Sequence, residues 1–327
     1  MKGYFVRKII YALIILYVIA SLNFVIFQVI SPLDPVKTFA RNPQISVEHQ
    51  EAMAKLWGLD QPLSTRYVKY IINMFTLNFG ISFMKQAPVI EEMLLRLRNT
   101  LLLLSLSLTL NMAVGVSVGI LAASKRGTKV DAFVMSAGLF TWGAPIFYIQ
   151  LLFVFFLANP SFFMVFPRSG MTTLPPPTDP IAYMADLAYH MALPLITLVV
   201  AQFGWWAMYT RNMMLDVLTE DYINTARAVG LSNRKVLFGH AFRATLPPFV
   251  TMVALIIPTL LMGGILTEYI FSWPGTGQWF LFSIENGDYP AAQALLFLYA
   301  LLMVGGSFAV DLIYGFLDPR IRVGVRR

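Results

Sequence analysis

The residues best suited to chemistry lie in a polar stretch, 219–248, between two long apolar runs. Its sequence is TEDYINTARAVGLSNRKVLFGHAFRATLPP. Basic side chains supply a cluster of hydrogen-bond donors here: Arg227, Arg234, Lys235, His240 and Arg243. Guanidinium and ammonium groups donate to carboxylate and carbonyl oxygens. The stretch therefore predicts a surface that binds another protein chain.

The first half of this stretch carries the signals of a short helix. Asp221 is expected to be the N-cap of a helix that runs through Val229. Gly230 suits the C′ position after it, because glycine adopts a positive φ at little cost. Tyr222, Ala226 and Gly230 recur at a spacing of four residues, which predicts a narrow face of small residues beside one ring. Such a face would allow close approach of a partner surface.

The second half predicts another helix. Ser232 is expected to cap it, and Pro247–Pro248 are expected to end it. An ordinary solvated loop is the alternative interpretation, and it accounts for each residue taken singly. It does not account for a face of small residues, which a solvated loop does not need.

Composition limits the class of protein. The chain is 57% hydrophobic and 13% charged, with a mean hydropathy of +0.67. A soluble domain exposes far more charge than this. Cysteine is absent, which excludes disulfides and thiolate metal sites. The net charge of +7 is confined to segments between apolar runs, so it indicates membrane topology and not a nucleic-acid partner.

Apolar runs predict an all-α membrane protein with six transmembrane helices, since each crossing needs roughly 20 apolar residues. Lys2, Arg7 and Lys8 precede the first run, which is too long for a signal peptide of about 7–15 apolar residues. It is therefore interpreted as an uncleaved first span. The expected spans are Ile9–Ile30, Thr100–Ala123, Ala132–Ala158, Tyr189–Tyr209, Thr245–Ile270 and Ala291–Tyr314.

The distribution of charge predicts the orientation. With the N-terminus inside, 15 of the 24 Lys and Arg residues lie on inner segments and 11 of the 17 acids lie on outer ones. Short, basic inner loops are what the positive-inside rule expects. Both termini are thus predicted to be cytoplasmic. Four parts are predicted: the tip and first span, 1–30; an extracytoplasmic segment with short amphipathic helices, 31–95; a five-helix core containing the loop 219–248, 96–314; and a basic cytoplasmic tail, 315–327.

Amphipathic patterns fall in the first outer segment. HQEAMAKLWGL predicts a short helix, and DQPLSTRYVKYIINMF predicts a second one. The second brings Tyr67, Tyr70, Ile71 and Met74 to one face, for packing on the protein or on the membrane surface. The next outer loop, 159–186, is rich in proline and serine, and the consecutive prolines Pro175–Pro177 favour extended backbone and forbid a helix.

Small and polar residues inside the spans give weaker signals. Gly115 and Gly119 form a G-x-x-x-G pair, which favours close helix contact but is common in membrane helices. Asn111, Gln202 and His190 are expected at depth, whereas Glu268 is expected near the outer surface. Trp273 and Trp279 suit a membrane–water interface.

At this point a family resemblance can be stated. The stretch DYINTARAVGLS, followed by His240, Arg243 and LPP, resembles the coupling loop of type I ABC importer permeases, in the dipeptide/oligopeptide branch. Similar motifs recur in the family's order along nearly the whole chain. They are SPLDPV, GLDQPLSTRY, LNFGISF, RLRNTLLL, HMALPLITL, TEYIFSWPGTGQ, DYPAAQ and DLIYGFLDPRIR. Two positions depart from the family, which usually has Lys at Val229 and Asn at Ala244.

The resemblance implies a permease subunit in a prokaryotic inner membrane. It would pair with a homologous permease, two cytoplasmic ATPases and an extracytoplasmic solute-binding protein, surrounded by lipid. ATP and Mg²⁺ would lie on the ATPases, since this chain has no G-x-x-x-x-G-K-[ST] and no cofactor of its own is expected. The residues implied in coupling are Asp221, Tyr222, Thr225, Ala226, Arg227, Gly230, Leu231, Ser232, His240 and Arg243.

Other functions remain as alternatives. An intramembrane zinc protease would need H-E-x-x-H, whereas His49, His190 and His240 lie far apart, and no serine-protease element with a partner histidine is found. An ATP-independent channel or secondary transporter would show ion dependence, but no series of carboxylates suggests a proton relay. Within the importer interpretation peptides are the expected cargo, with oligosaccharides or nickel as alternatives.

Overall fold

The computed structural model describes residues 2–30, 61–261 and 264–317. The described part is helical, with one isolated β-bridge between Ile81 and Pro88. Two π-helical segments, Val25–Ile30 and Lys235–Ala241, accompany the α-helices. The α-helices are α1 (Lys2–Phe24), α2 (Leu63–Phe75), α3 (Val89–Ser124), α4 (Lys129–Gly143), α5 (Ile146–Leu157), α6 (Pro180–Leu218), α7 (Asp221–Ala228), α8 (Phe242–Leu261), α9 (Ile265–Ile270), α10 (Thr276–Glu285) and α11 (Tyr289–Leu317).

Four stretches of helix in the described residues are long and apolar enough to cross a membrane. They are Val6–Ile30, Val89–Ser124, Pro180–Leu218 and Tyr289–Val310, and the bent pair α4–α5 would make a fifth. The count of six and the orientation of the termini stay predictions. Two of these helices begin about ten residues earlier than expected, at Val89 and at Pro180. Pro180 starts its helix without penalty, because the first helical residue has no intrahelical N–H bond to lose. Asp179 caps the helix by accepting the N–H of Ala182 at 2.8 Å.

The expected span Ala132–Ala158 is formed by two helices and stays a prediction as a single crossing. Helices α4 and α5 are bent by 97° between Gly143 and Ile146. Pro145 explains the break, because its ring disfavours helical geometry at the preceding residue, and Ala144 is extended with ψ 139°. The expected span Thr245–Ile270 is also divided, since α8 ends at Leu261 and α9 begins at Ile265, with 262–263 outside the described residues.

The chain forms two compact units. The first comprises Met1–Thr100, Ile257–Ile265 and Gly275–Arg327, and the second comprises Leu101–Ile256 and Leu266–Pro274. Each has its own apolar core.

In the first unit, helices α1, α2, α10 and α11 pack together. The amphipathic helix expected from DQPLSTRYVKYIINMF is present as α2, and it buries Tyr70 and Met74. Burial raises the pKa of the Tyr70 hydroxyl well above its ordinary value, so this group stays neutral. Trp279 is fully buried in the same core, so its expected place at a membrane interface is wrong. The helix expected at HQEAMAKLWGL lies outside the described residues.

Asp288 anchors a turn of the first unit. Its buried carboxylate accepts the hydroxyl of Ser82 and the N–H of Phe83, the latter at 2.9 Å. The hydroxyl of Ser82 accepts in turn from the N–H of Lys85 at 3.0 Å. One buried carboxylate therefore organises the turn 82–86 from a position 206 residues away in sequence.

Replacing Asp288 with alanine should free this turn. The variant loses hydrogen bonds to an ionised group, each worth about 1.5–3 kcal/mol, so local opening should rise by about tenfold or more. Trypsin cleavage after Lys85, in the detergent-solubilised protein, measures that opening. Asp288→Asn keeps one acceptor oxygen and should fall between the two. Equal cleavage rates in all three proteins would contradict the anchoring role.

The second unit is built on α6. Asp131 of α4 and Arg211 of α6 form a two-pronged ion pair, with Nε–Oδ1 at 2.6 Å and Nη2–Oδ2 at 2.8 Å. Further along, Gly138 and Gly204 bring the backbones of the same two helices together. At this contact the absence of a side chain on Gly204 allows the backbone of α4 to approach α6 closely.

The G-x-x-x-G pair of α3 packs on α6 as the sequence indicated. A Cβ added to Gly115 would lie 2.3 Å from Cβ of Trp206. One added to Gly119 would lie 2.6 Å from the carbonyl oxygen of Ala207. Neither position has room for a side chain. Gly204 of α6, which packs against Gly138 of α4, was missed because it lacks a partner glycine four residues away.

We expect Gly204→Ala to destabilise the second unit. Its Cβ would lie 2.2 Å from the carbonyl oxygen of Gly138, and overpacking of this kind costs about 1–3 kcal/mol. Thermal unfolding in detergent measures the loss. Gly143→Ala on α4 is the control, because its Cβ meets nothing within 4 Å. A midpoint for Gly204→Ala no lower than that of the control would show that the helices can separate freely.

The polar groups noted in the spans of the second unit differ in their exposure. Asn111 and His190 are buried, whereas Gln202 is exposed. Glu268 is fully buried within the protein, and its expected level near the outer membrane surface stays a prediction. Gln150 was missed, although it is fully buried and donates to the hydroxyl of Thr267 at 2.8 Å. It was missed because a lone glutamine within FYIQLLF has no partner nearby in sequence.

Candidate coupling surface

Helix α7 is held to the second unit by its apolar side. Ile223 is fully buried and packs with Ile120, Ala123 and Met214. Ala226 belongs to the same cluster and is only 7% exposed. The expected outward face of Tyr222, Ala226 and Gly230 is therefore wrong at Ala226. Three residues separate Ala226 from Ile223, so the helical repeat turns both toward the core.

The start of α7 lies one residue earlier than expected. Asp221 is the first helical residue, and Glu220 takes the N-cap position with extended backbone, φ −71° and ψ 146°. The carbonyl of Glu220 accepts the N–H of Ile223 at 3.0 Å. Asp221 still favours the helix, because a carboxylate in the first turn faces the positive end of the helix dipole. Its carbonyl accepts the hydroxyl of Thr225 at 3.1 Å.

Gly230 ends α7 as the sequence predicted. Its φ is +83°, and its N–H donates to the carbonyl of Arg227 at 3.0 Å. The N–H of Leu231 donates to the carbonyl of Ala226 at 3.3 Å. These two bonds make a Schellman motif, which satisfies the last carbonyls of the helix. Leu231 then packs against the apolar cluster beneath, and this fixes the exit of the chain.

The second helix differs from the prediction at its far end. Helix begins directly after Ser232, and the backbone carbonyl of Ser232 accepts the N–H of Val236 at 3.0 Å, as an N-cap carbonyl does. The π-helical segment Lys235–Ala241 continues directly into α8, so Pro247–Pro248 do not end the helix. Membrane helices tolerate proline within their length. The hydroxyl of Tyr209 donates to the carbonyl of Pro248 at 3.4 Å, which links α6 to α8.

The outward side of this region combines apolar and basic groups. Tyr222 is 46% exposed, Val229 is 71% exposed and Phe238 is 52% exposed. An open pocket of about 420 Å³ lies beside Phe238. It is lined by Leu231, Arg234, Lys235, Phe238, Gly239 and His240. An exposed apolar group set among cations is suited to a protein partner, because rings and guanidinium groups dominate such contacts.

The structure thus brings the predicted residues to one region, with different roles. Most of them lie on its outer side; the exposed ones are Asp221, Tyr222, Thr225, Arg227, Gly230, Ser232, His240 and Arg243. Ala226 and the half-buried Leu231 hold the region to the core. Val229 and Phe238 were missed as surface groups; the signal was an apolar side chain inside an otherwise polar stretch.

Nothing in this geometry indicates catalysis. The region offers donors, a short rigid helix and an open pocket, which suit binding. Among the residues that the structure describes, no group of three or more His, Cys, Asp or Glu side chains is placed to hold a metal ion. A short helix that packs on membrane helices, as α7 does, can transmit a movement to them.

Comparison with known proteins identifies the class. Residues 115–323 match the family described as binding-protein-dependent transport system inner membrane component. Residues 1–105 match the N-terminal family of the same membrane components. With its apolar helices, the chain is a multi-pass membrane protein.

Individual relatives cover nearly the full length. The oligopeptide transport system permease protein AppB of Bacillus subtilis is 35% identical over 98% of this chain and 99% of AppB. The di/tripeptide transport system permease protein DppB of Pseudomonas aeruginosa is 35% identical over 93% of this chain and 94% of that protein. The dipeptide transport system permease protein DppB of Escherichia coli is 36% identical over 89% and 90%. The chain therefore belongs to the family of binding-protein-dependent transport system inner membrane components.

Proposed function

We propose that this chain is a permease subunit of an ATP-driven ABC importer that carries peptides. It forms half of the translocation path, together with a homologous permease. Two ATPase subunits bind on the cytoplasmic side, and a solute-binding protein delivers the cargo from outside. Six membrane crossings with both termini in the cytoplasm are part of this proposal.

The observation that carries the proposal is the construction of the segment 221–244. Its inner side packs on α3 and α6, whereas its outer side exposes Tyr222, Val229 and Phe238 among basic groups. The Schellman motif at Gly230 and the continuous helix beyond Lys235 leave little freedom between this surface and the membrane. A force applied to the surface would reach the helices of the second unit.

The mechanism follows from this rigid link. ATP and Mg²⁺, bound by the partner ATPases, supply the energy by closing the ATPase dimer. The segment 221–244 moves with the ATPase that it contacts, and α6 and α8 carry the motion into the membrane. The transport path then changes from inward-open to outward-open. Such coupling requires an element that both sites can bias, and α7 is the element that we propose for it.

Peptides are the proposed cargo. The names of the relatives specify oligopeptides, di/tripeptides and dipeptides. Oligosaccharides and nickel are the alternatives to test, because the binding protein contributes to selectivity in such a machine.

Reconstituted uptake tests the proposal. The chain, its partner permease, both ATPases and the binding protein are incorporated in vesicles and offered labelled dipeptides, longer peptides, oligosaccharides or nickel. We expect peptide uptake that requires both ATP and the binding protein. Sugar or nickel uptake with the same requirements would replace the cargo and keep the machine. Uptake that is indifferent to ATP would indicate a channel or secondary transporter and would refute the proposal.

A further inference from the structure

Helix α5 does not continue the course of α4. It leaves that course by 97° and has 12 residues. At 1.5 Å per residue its length is about 18 Å, well short of the roughly 30 Å of a bilayer core. The direction of α5 within the second unit therefore decides how this part of the chain lies in the membrane.

The register of α4 against α6 provides a scale. Asp131 pairs with Arg211, and Gly138 meets Gly204. The step between the two contacts is seven residues on each helix. The helices therefore run antiparallel in a constant register. Positions along α6 can then be used to measure the height of the chain after α4, along the axis of α6.

Measured along the axis of α6, the chain covers only a short distance between the end of α4 and the end of α5. The end of α4 at Gly143 lies level with Val199, by continuation of the register. Ala158, just after α5, packs with Leu193. The chain has advanced about six residues of α6, or about 9 Å, where a straight helix would have advanced about 22 Å. Helix α5 is thus strongly tilted away from the axis of α6.

Positions along α6 also give the depth of α5 in the bilayer. From Arg211 to Tyr189, α6 rises about 33 Å, close to the thickness of a bilayer core. The hydroxyl of Tyr189 donates to the carbonyl of Val165 at 2.7 Å. Tyrosine is typical of the membrane–water boundary. The segment 158–166 therefore reaches the boundary, and α5 lies just beneath it, within one leaflet.

The backbone at the end of α5 suits an apolar solvent. The N–H of Phe163 donates to the carbonyl of Phe156 at 3.1 Å, and the N–H of Val165 donates to that of Leu157 at 2.9 Å. The chain folds back over the helix end and satisfies carbonyls that would otherwise need water. Hydrocarbon imposes this requirement on every backbone group.

The side chains of α5 suit contact with lipid. Residues 132–167 contain no Asp, Glu, Lys, Arg or His. Phe147, Leu151 and Phe155 expose one face of α5, and Phe163 and Met164 extend it at the boundary. A surface that faces acyl chains needs no charge, and a charged group there would be costly.

We propose that α5 and the segment 158–166 form a tilted element in a single leaflet, with phospholipid acyl chains lying along its exposed apolar face. Helices α4 and α5 are then not one upright crossing helix. The acyl chains contact Phe147, Leu151 and Phe155. Phe163 and Met164, at the boundary, contact the part of the acyl chains nearest the headgroups.

Spin labelling tests this directly, since the chain contains no cysteine to remove. Phe147→Cys, Leu151→Cys and Phe155→Cys are labelled singly with a nitroxide, in the complete transporter in phospholipid nanodiscs. Collision with oxygen and with a water-soluble nickel chelate gives the depth of each label. We expect high oxygen access, low chelate access and a depth difference between positions 147 and 155 of at most about 5 Å. An upright helix would give about 12 Å.

A label in the outer loop is the control for this experiment. Leu174→Cys, 87% exposed beside the prolines of the following loop, should be accessible to the chelate. A depth difference near 12 Å would overturn the tilt. Labels on α5 that neither reagent reaches would mean that a protein partner covers this face, and labels that the chelate reaches would mean that it faces water. Either result would overturn the lipid contact.

Discussion

Replacing Arg211 with methionine is expected to destabilise the protein by about 3–5 kcal/mol, the usual cost of leaving a buried charge unpaired. Asp131 is buried, and the guanidinium of Arg211 bonds both of its oxygens. In the variant the carboxylate retains the N–H of Gly127, at 2.9 Å. One hydrogen bond does not offset the lost charge. Thermal unfolding of the detergent-solubilised protein, followed by tryptophan fluorescence, measures the change.

Two further variants separate charge from packing. Adding Asp131→Leu to Arg211→Met removes the unpaired carboxylate and should recover much of the stability. Arg227→Met removes an exposed arginine of α7 and should change stability by less than about 0.5 kcal/mol. If the single Arg211 variant unfolded at the same temperature as the Arg227 variant, the ion pair would not be a stabilising feature of α4 and α6.

Replacing Val229 with aspartate is expected to reduce ATP-driven uptake by about tenfold or more. Val229 is 71% exposed, just past α7 and near Arg227. If that basic surface binds an ATPase, an added carboxylate opposes the complementary charge, and such juxtapositions cost several kcal/mol. Stability should change little, because the side chain makes few contacts with its own chain. Uptake and binding-protein-stimulated ATP hydrolysis in vesicles measure the effect.

The matched control is Val229→Lys at the same position. It adds the opposite charge, which the basic surface and its proposed partner should accept, so uptake should stay near that of the unchanged protein. Ala226→Asp gives a second contrast, because it places a charge in the apolar cluster under α7 and should lower thermal stability as well as uptake. Normal uptake by Val229→Asp in a fully inserted complex would remove this surface from the coupling role.

Local signals predicted the segment 221–244 well where the cause of its structure is local. Gly230 ends α7 with a positive φ because no side chain opposes that conformation. The amphipathic pattern at 67–74 predicted α2, since a helix buries residues that recur every three or four positions. The membrane class followed from composition alone, because apolar runs of this length have no soluble alternative.

Errors arose where two interpretations had the same pattern. Ala226 fits both an outward small-residue face and the inner side of α7, and only the position of Ile223 in the core decides between them. Pro247–Pro248 would end a helix in water, yet α8 passes through them. Trp279 suits an interface by type, but the core of the first unit encloses it.

By itself, the sequence determined the membrane class, the helical character, the end of α7 at Gly230 and the family. These depend on hydrophobicity, on backbone freedom and on motifs that are contiguous along the chain. The tertiary structure alone decided the ion pair of Asp131 with Arg211, the contact of Gly138 with Gly204 and the bend between α4 and α5. Each of these depends on which residues of distant segments become neighbours, and packing fixes those neighbours only when the whole unit has folded.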